Sequence, residues 1–307
     1  MPRRAVLALL GALTGVISLF VIWYVAFHVG LVERTDESVL SGFVGLRRPG
    51  IDSIALAIAS VCDPKPYVFL AAAVVLAALI GRRGRVAAAV GGILLGANFT
   101  TEILKSALGQ THPIAINVAG TLEYKTGAWP SGHATASMAL ALCAVLVARA
   151  RWRPVVAAAG AAFAVAVSFS FLILVWHYPS DVLGGYLVAA TWTLVGVAAV
   201  WTADARWPRR VRGASMVRLT ARQVLGPPIA AVIGAVVLLG IVALARPHPV
   251  VAYAHDHRAF VVGAAAIGTL GLALATGLML ATTLRRQPGD PAVTDSGPVP
   301  TAAPRHG

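Results

Sequence analysis

Residues 154–203 read PVVAAAGAAFAVAVSFSFLILVWHYPSDVLGGYLVAATWTLVGVAAVWTA. Within this stretch the one Asp, Glu, Lys or Arg is Asp181, and the flanks are Arg153 and Asp204. A helix that spans a membrane needs roughly 20 apolar residues. The stretch holds two such runs, 154–176 and 181–203, separated by Trp176-His177-Tyr178-Pro179-Ser180-Asp181. Pro179 interrupts the helix, and the polar group after it gives the second helix a capped start. Two apolar helices that turn back on each other at a polar break are the repeating unit of a polytopic membrane bundle.

The same pattern extends in both directions. Further apolar runs occupy about 5–29, 66–81, 86–107, 134–149, 227–246 and 259–283, which makes eight candidate spans. The runs 66–81 and 134–149 are short. Overall 58% of residues are hydrophobic and 12% charged, against about 25% charged in soluble domains. The fold class expected is therefore all-α, a polytopic helical membrane bundle. The net charge of +13 could suggest a nucleic-acid partner. However, the basic residues sit in short clusters between apolar runs, as membrane topology requires, so no nucleic acid is expected. The first run follows Arg3 and Arg4 and exceeds the ~7–15 residues of a signal-peptide core, so it reads as a retained helix. Cys62 and Cys143 fall at different depths, and no disulfide is expected.

With the N-terminus inside, the segments around Arg82–Arg85, Arg149–Arg153, Arg206–Arg222 and Arg285–Arg305 all fall on the inner side and hold most of the Arg and Lys. That bias is what the positive-inside rule expects. Both termini are then cytoplasmic, and the loops 108–133 and 177–180 lie together outside. Residues 1–65 form a first span and an outer interfacial segment, since 33–62 mixes Glu33, Arg34, Asp36, Glu37, Arg47, Arg48 and Asp52 with apolar residues. Residues 66–203 complete a core. The linker 204–226 is Arg-rich, 227–284 adds two spans, and the Pro/Gly/Thr-rich tail 285–307 is expected to be disordered.

Polar groups near a membrane core are costly, so each needs a reason. Three outer clusters qualify: Lys105–Pro113 (KSALGQTHP), Trp129–His133 (WPSGH) and Trp176–Asp181 (WHYPSD). In the second, Ser131 is a good helix N-cap and Gly132 lets a ligand approach the backbone. Free N–H groups and the positive helix end then offer an anion seat, with His133 beside it to give a proton. In the third, Asp181 can hold one ring nitrogen of His177 and leave the other free to attack. A plain capping role for Asp181 and an interfacial role for His133 compete with these readings. Lys105 ends a helix in a chain with three Lys (Lys65, Lys105, Lys125) among many Arg; snorkelling to the interface is its competing role. Taken together, the clusters supply an anion seat, an acid, a nucleophile and an orienting carboxylate, a full set for phosphoryl transfer through a phosphohistidine.

The order Lys105-x6-His112-Pro113, Pro130-Ser131-Gly132-His133, then Ser170-x6-His177-x3-Asp181 resembles the type 2 phosphatidic acid phosphatase (PAP2) and haloperoxidase superfamily over about residues 86–203. The resemblance implies a six-helix core, here with two C-terminal helices added, and a metal-independent phosphatase of the membrane-lipid branch. It implies His177 as nucleophile, Asp181 as its orienter and His133 as general acid. Lys105, Ser131 and Gly132 would hold the phosphate, with no metal and no cofactor. Two positions depart from the family pattern. The first motif ends His112-Pro113 where the family has Arg-Pro, and the third begins Ser170-Phe171 where it has Ser-Arg. His112 takes the place of one phosphate-binding arginine and Phe171 of the other.

The function expected is hydrolysis of a membrane lipid phosphate or diphosphate at the outer leaflet of the cell membrane. A phosphotransferase, or a degenerate member that binds lipid phosphate without turnover, is the alternative that Phe171 keeps open. A transporter with an outer anion site fits less well, because such sites lie near the midplane between repeats. A zinc hydrolase would need ligands from His112, His133, His177 and Asp181, without a close two-His helix motif.

Overall fold

The computed structural model describes residues 1–108, 111–118, 121–208, 220–245 and 247–283. The side chains of 111–128, 238, 239, 242, 243 and 247 are outside this description, as are most of the Arg-rich linker and the tail from 284. The described elements are α1 (Arg3–His28), α2 (Gly30–Val44), α3 (Pro49–Ala59), α4 (Pro64–Ile80), α5 (Gly84–Leu108), β1 (Thr111–Val118), β2 (Thr121–Ala128), α6 (Gly132–Val147), α7 (Arg153–Ile173), α8 (Pro179–Arg206), α9 (Ala221–Ala245), α10 (Pro247–Asp256) and α11 (Arg258–Thr283). The architecture is an all-α polytopic bundle.

Each of the eight apolar runs is a helix, but they are not equivalent. Five helices (α1, α5, Ala150–Ile173, α8 and α11) are long and apolar enough to cross a membrane. The run expected at 66–81 is α4, which with the helix before it forms an apolar pair bent by 53° at a short break, long and apolar enough together to count as one further span or as a re-entrant loop. The bend falls at Asp63-Pro64, where proline starts a new helix and cannot continue the previous one. The expected interfacial segment 33–62 contains most of α2 and all of α3. The apolar parts at 132–147 and 221–237 are shorter, and α9 carries Pro227 and Pro228 inside it.

The core is centred on α6, which packs against α4, α5, α7, α8 and α11 and buries most of its side chains, from Ala134 to Leu146. At ~1.5 Å per residue its length is about 24 Å, short of the roughly 30 Å hydrocarbon layer. A central short helix leaves room above one of its ends, and the polar motif WPSGH lies at that end. Small residues set the close approaches around it. A side chain at Gly15 would meet Thr191 Oγ1 at 2.4 Å, and one at Gly96 would meet Trp192 at 2.6 Å. Such contacts let α1 and α5 lie against α8, the usual device where lipid offers no hydrophobic drive. Large apolar side chains such as Leu7, Leu10, Phe69 and Leu95 face outward.

The loop between α5 and α6 is a two-stranded antiparallel hairpin, with Thr111 opposite Ala128 and Val118 opposite Thr121. Its pairing brings the end of α5 and the start of α6 side by side. This element does not appear in an all-helical reading, since a polar connecting loop carries no hydropathy signal.

Candidate active site

The site is built at the start of α6. Ser131 is its N-cap, and its side chain accepts the Ala134 N–H at 3.3 Å. The Ser131 carbonyl accepts the Thr135 hydroxyl at 2.9 Å, and Thr101 on α5 donates to Thr135 Oγ1 at 3.1 Å. The N–H of Ser131 donates to the Asp181 carbonyl at 3.0 Å. One backbone hydrogen bond therefore locks the second motif onto the third.

This contact depends on a glycine pair. A Cβ at Gly185 would lie 2.7 Å from the Ser131 carbonyl oxygen, and one at Gly184 would lie 2.9 Å from Trp129. Any other residue at either position would push α8 away from the cap. At Gly132 an added Cβ would sit 3.1 Å from Lys105 Nζ. The lysine ammonium therefore hangs over the N-terminus of α6, where the helix presents free N–H groups.

His177 and Asp181 form the second half. His177 Nδ1 lies 3.0 Å from Asp181 Oδ2, and the same oxygen accepts the Tyr178 N–H at 3.0 Å. Asp181 is 2% exposed. Its carboxylate thus caps the first turn of α8 and, with the proton on Nδ1, fixes the His177 tautomer. The turn before it is a Schellman closure of α7. Trp176 N–H donates to Phe171 O at 2.9 Å and Val175 N–H to Leu172 O at 3.0 Å. The left-handed position of that closure, usually glycine, is Val175 at φ 60°. A β-branched residue there carries strain of about 1–2 kcal/mol. The strained turn projects Trp176 and His177 toward α6.

Phe171 closes the space between the histidines. It is fully buried, with its ring centroid 5.4 Å from His177 and 6.1 Å from His133. It thus touches both histidines rather than lipid, in the interior of the site. Trp176 stands 5.6 Å from the His133 ring. Lys105, Gly132, His133, His177 and Asp181 are therefore gathered at one end of the bundle. His112 falls on β1 and Lys125 on β2, and their side chains lie outside the described residues.

Two carboxylates in this site are absent from the sequence reading. Asp63 Oδ1 lies 3.2 Å from His133 Nε2. Glu102 Oε1 lies 2.7 Å from Lys105 Nζ, with 68% of the glutamate side chain exposed. Asp63 does have a local signal, an Asp-Pro helix start, but nothing local aims it at a histidine 70 residues away. Glu102 could be read as a helix-face partner of Lys105, three residues on. The Gly184-Gly185 pair was also readable as a close approach inside an apolar helix. Among the described residues, no three His, Cys, Asp or Glu side chains group as metal donors.

A third carboxylate stands at the start of α8. Asp36 on α2 accepts the Ser180 N–H at 3.1 Å. Burial, opposed in part by Ser180, pushes its pKa up to about 7.

Neither the curated proteins nor the solved structures gave a match to this chain. A family model does match, over residues 86–205, a range that contains Lys105, WPSGH and WHYPSD together. The model is that of the PAP2 superfamily, and by that match and these motifs residues 86–205 of the chain are similar to that superfamily.

Proposed function

We propose that this protein is a membrane phosphatase that hydrolyses a lipid phosphate or diphosphate at the outer leaflet through a phosphohistidine. The observation that carries the reading is the His177–Asp181 pair, held by the Ser131–Asp181 backbone bond against the N-terminus of α6. Nε2 of His177 attacks phosphorus, and the bond from phosphorus to the leaving oxygen breaks. His133 gives that oxygen a proton. Water then attacks the phosphohistidine, His133 takes the proton back, and inorganic phosphate leaves with His177 regenerated. Burial holds the His133 pKa below its ordinary value, and Asp63 at Nε2 opposes that shift in favour of the charged ring that donates.

The phosphate seat combines the N-terminal N–H groups of α6, Ser131 and Gly132 with the Lys105 ammonium. Lys105 is paired with Glu102, but an exposed pair is worth only about 0–1 kcal/mol. A charge-assisted bond to phosphate contributes about 1.5–3 kcal/mol. Substrate therefore displaces Glu102 from Lys105. Phe171 contributes no donor, so the seat holds phosphate with fewer fixed charges than the family pattern provides.

The test is release of inorganic phosphate by the purified full chain in detergent from phosphatidic acid, phosphatidylglycerol phosphate and a polyprenyl diphosphate, with and without chelator. Turnover of at least one, insensitive to chelator, is the expected result. One observation favours a second reading. Phe171 packs against both histidine rings at full burial, as it would in a degenerate member that binds lipid phosphate without turnover. Saturable binding of phosphate or vanadate with no phosphate release from any substrate would select that reading.

A further inference from the structure

Each of the two site histidines is tied to a carboxylate through one ring nitrogen. His177 Nδ1 lies 3.0 Å from Asp181 Oδ2, and His133 Nε2 lies 3.2 Å from Asp63 Oδ1. One such bond does not fix an imidazole. The last torsion of histidine is broad and roughly two-fold, so a ring held at one nitrogen can still swing about that bond or flip out of it. What stops it has to be a wall of packed atoms. Phe171 is a wall that the two rings share. We propose that Phe171 is a positioning residue, whose ring fixes the orientation of the His177 nucleophile and of the His133 acid together. The inference rests on the phosphohistidine reading above.

Three observations support it. First, the ring geometry is that of attractive aromatic pairs. Phe171 meets His177 in a T-shape, with centroids 5.4 Å apart and planes at 77°, and meets His133 tilted, at 6.1 Å and 51°. Both separations fall in the range of about 4.5–7 Å where such pairs attract. Trp176 adds a second ring against His133, at 5.6 Å and 54°. Second, exposure is divided as a positioned site requires. The Phe171 ring is 0% exposed, while the side chains of His177 and His133 keep 13% and 23%. Solvent and substrate reach the imidazoles, and the ring that touches both is locked in the packed interior. Third, the backbone of Phe171 builds the turn into His177. Its carbonyl accepts the Trp176 N–H at 2.9 Å. One residue therefore sets both the path of the chain into His177 and the attitude of its ring.

The chemistry explains why an apolar ring suits this place. His177 must keep the lone pair of Nε2 free, and His133 must be able to carry a proton. A donor side chain would tie up the lone pair, a cation would oppose the charged His133 ring, and a carboxylate would compete for its proton. A phenyl ring does none of these.

The test compares the purified full chain in detergent with Phe171→Leu, which keeps the place apolar and the backbone bond intact but removes the flat wall. The kcat for phosphate release should fall by about 10²-fold, the cost of roughly 1 Å of misplacement. KM should stay within about twofold, because the N-terminus of α6 and Lys105 seat the phosphate. A residue that only fills the core would lower Tm and leave kcat alone. Nitrogen-15 spectra of labelled histidine give a readout that needs no turnover, with the two signals assigned by their loss in His133→Gln and His177→Gln. In the native chain His177 should show one tautomer, with the proton on Nδ1. In Phe171→Leu it should show a mixture of tautomers, and the His133 signal should shift as well. A kcat within twofold of the native chain, or an unaltered signal at either histidine, would overturn the proposal. A native chain that releases phosphate from no substrate would instead end the phosphatase reading, and the spectra would still decide whether Phe171 orders both rings. Should Phe171→Leu fail to fold, Phe171→Met, nearer to the ring in volume but flexible, takes its place with the same expected outcomes.

Discussion

The two ends of the bundle meet the same electrostatic problem in opposite ways. At one end helix carbonyls lack partners, and arginines supply them. Arg83 donates to Val147 O at 2.8 Å, Arg85 to Trp207 O at 2.7 Å, and Arg153 to Thr282 O at 2.6 Å. Each places a fixed cation on the negative end of α6, α8 or α11. At the other end α6 presents free N–H groups, and the nearby charges are Lys105, two histidines and the carboxylates of Asp63, Glu102 and Asp181. The first end is closed by its own side chains. At the second, the carboxylates engage the cationic groups while the helix N-terminus faces Lys105 and is left for a ligand. The difference teaches that Arg83, Arg85 and Arg153 serve the architecture, whereas the proposed chemistry would rest on groups that can exchange partners or protons.

Substitutions at the two ends should separate activity from stability. The largest effect belongs to His177→Ala, which should lower phosphate release by about 10⁴-fold or more, because no other group can form the phosphoenzyme. Near-normal release in that variant would end the covalent mechanism. His133→Ala should cost about 10²–10⁴-fold with an alkyl phosphate ester. It should cost much less with an aryl phosphate whose leaving group needs no proton, and equal losses on both would remove His133 from the acid role.

Asp63→Asn should act through His133. Loss of the carboxylate lowers the affinity of the ring for its second proton. The fall in kcat on the alkaline side should then begin at lower pH, with about tenfold lower activity at neutral pH. An unchanged pH profile would reduce Asp63 to a helix cap.

Arg153→Ala belongs to the other end. It removes donors to Thr282 O and Ala148 O, so the thermal midpoint should drop by a few degrees, equivalent to about 1–2 kcal/mol. The kcat should stay within about twofold. A large loss of kcat at unchanged midpoint would show that the two ends are coupled.

The smallest effect on turnover is expected at Asp36, on α2, which is not among the helices long enough to span. Its folded pKa, pushed up by burial to about 7, lies well above the ordinary carboxylate value of about 4. Between those values the folded state binds the extra proton, so stability falls as pH rises from about 4 to 7. Asp36→Asn should flatten that part of the Tm profile while its amide oxygen still accepts the Ser180 N–H. A profile of unchanged slope would place the pH dependence elsewhere.

Much of this was legible in order along the chain. The helices follow from apolar run lengths, because a bilayer has a fixed thickness and leaves no other way to satisfy the backbone. The tautomer-fixing pair follows from His177 and Asp181 being four residues apart across Pro179. The cap at Ser131 follows from its position before an apolar run. These features are local, and local physics decides them.

What only the tertiary structure decided are the contacts between distant segments. Asp63 reaches His133 across 70 residues and Asp36 reaches Ser180 across 144, and no periodicity encodes such meetings. Phe171 is apolar on an apolar helix, so its sequence environment would suit lipid as well as two imidazole rings. The bend at Asp63 and the short central α6 choose between those options. They turn one carboxylate inward and seat the helix N-terminus within the bundle, where Gly184 and Gly185 let α8 lie close enough to complete the site.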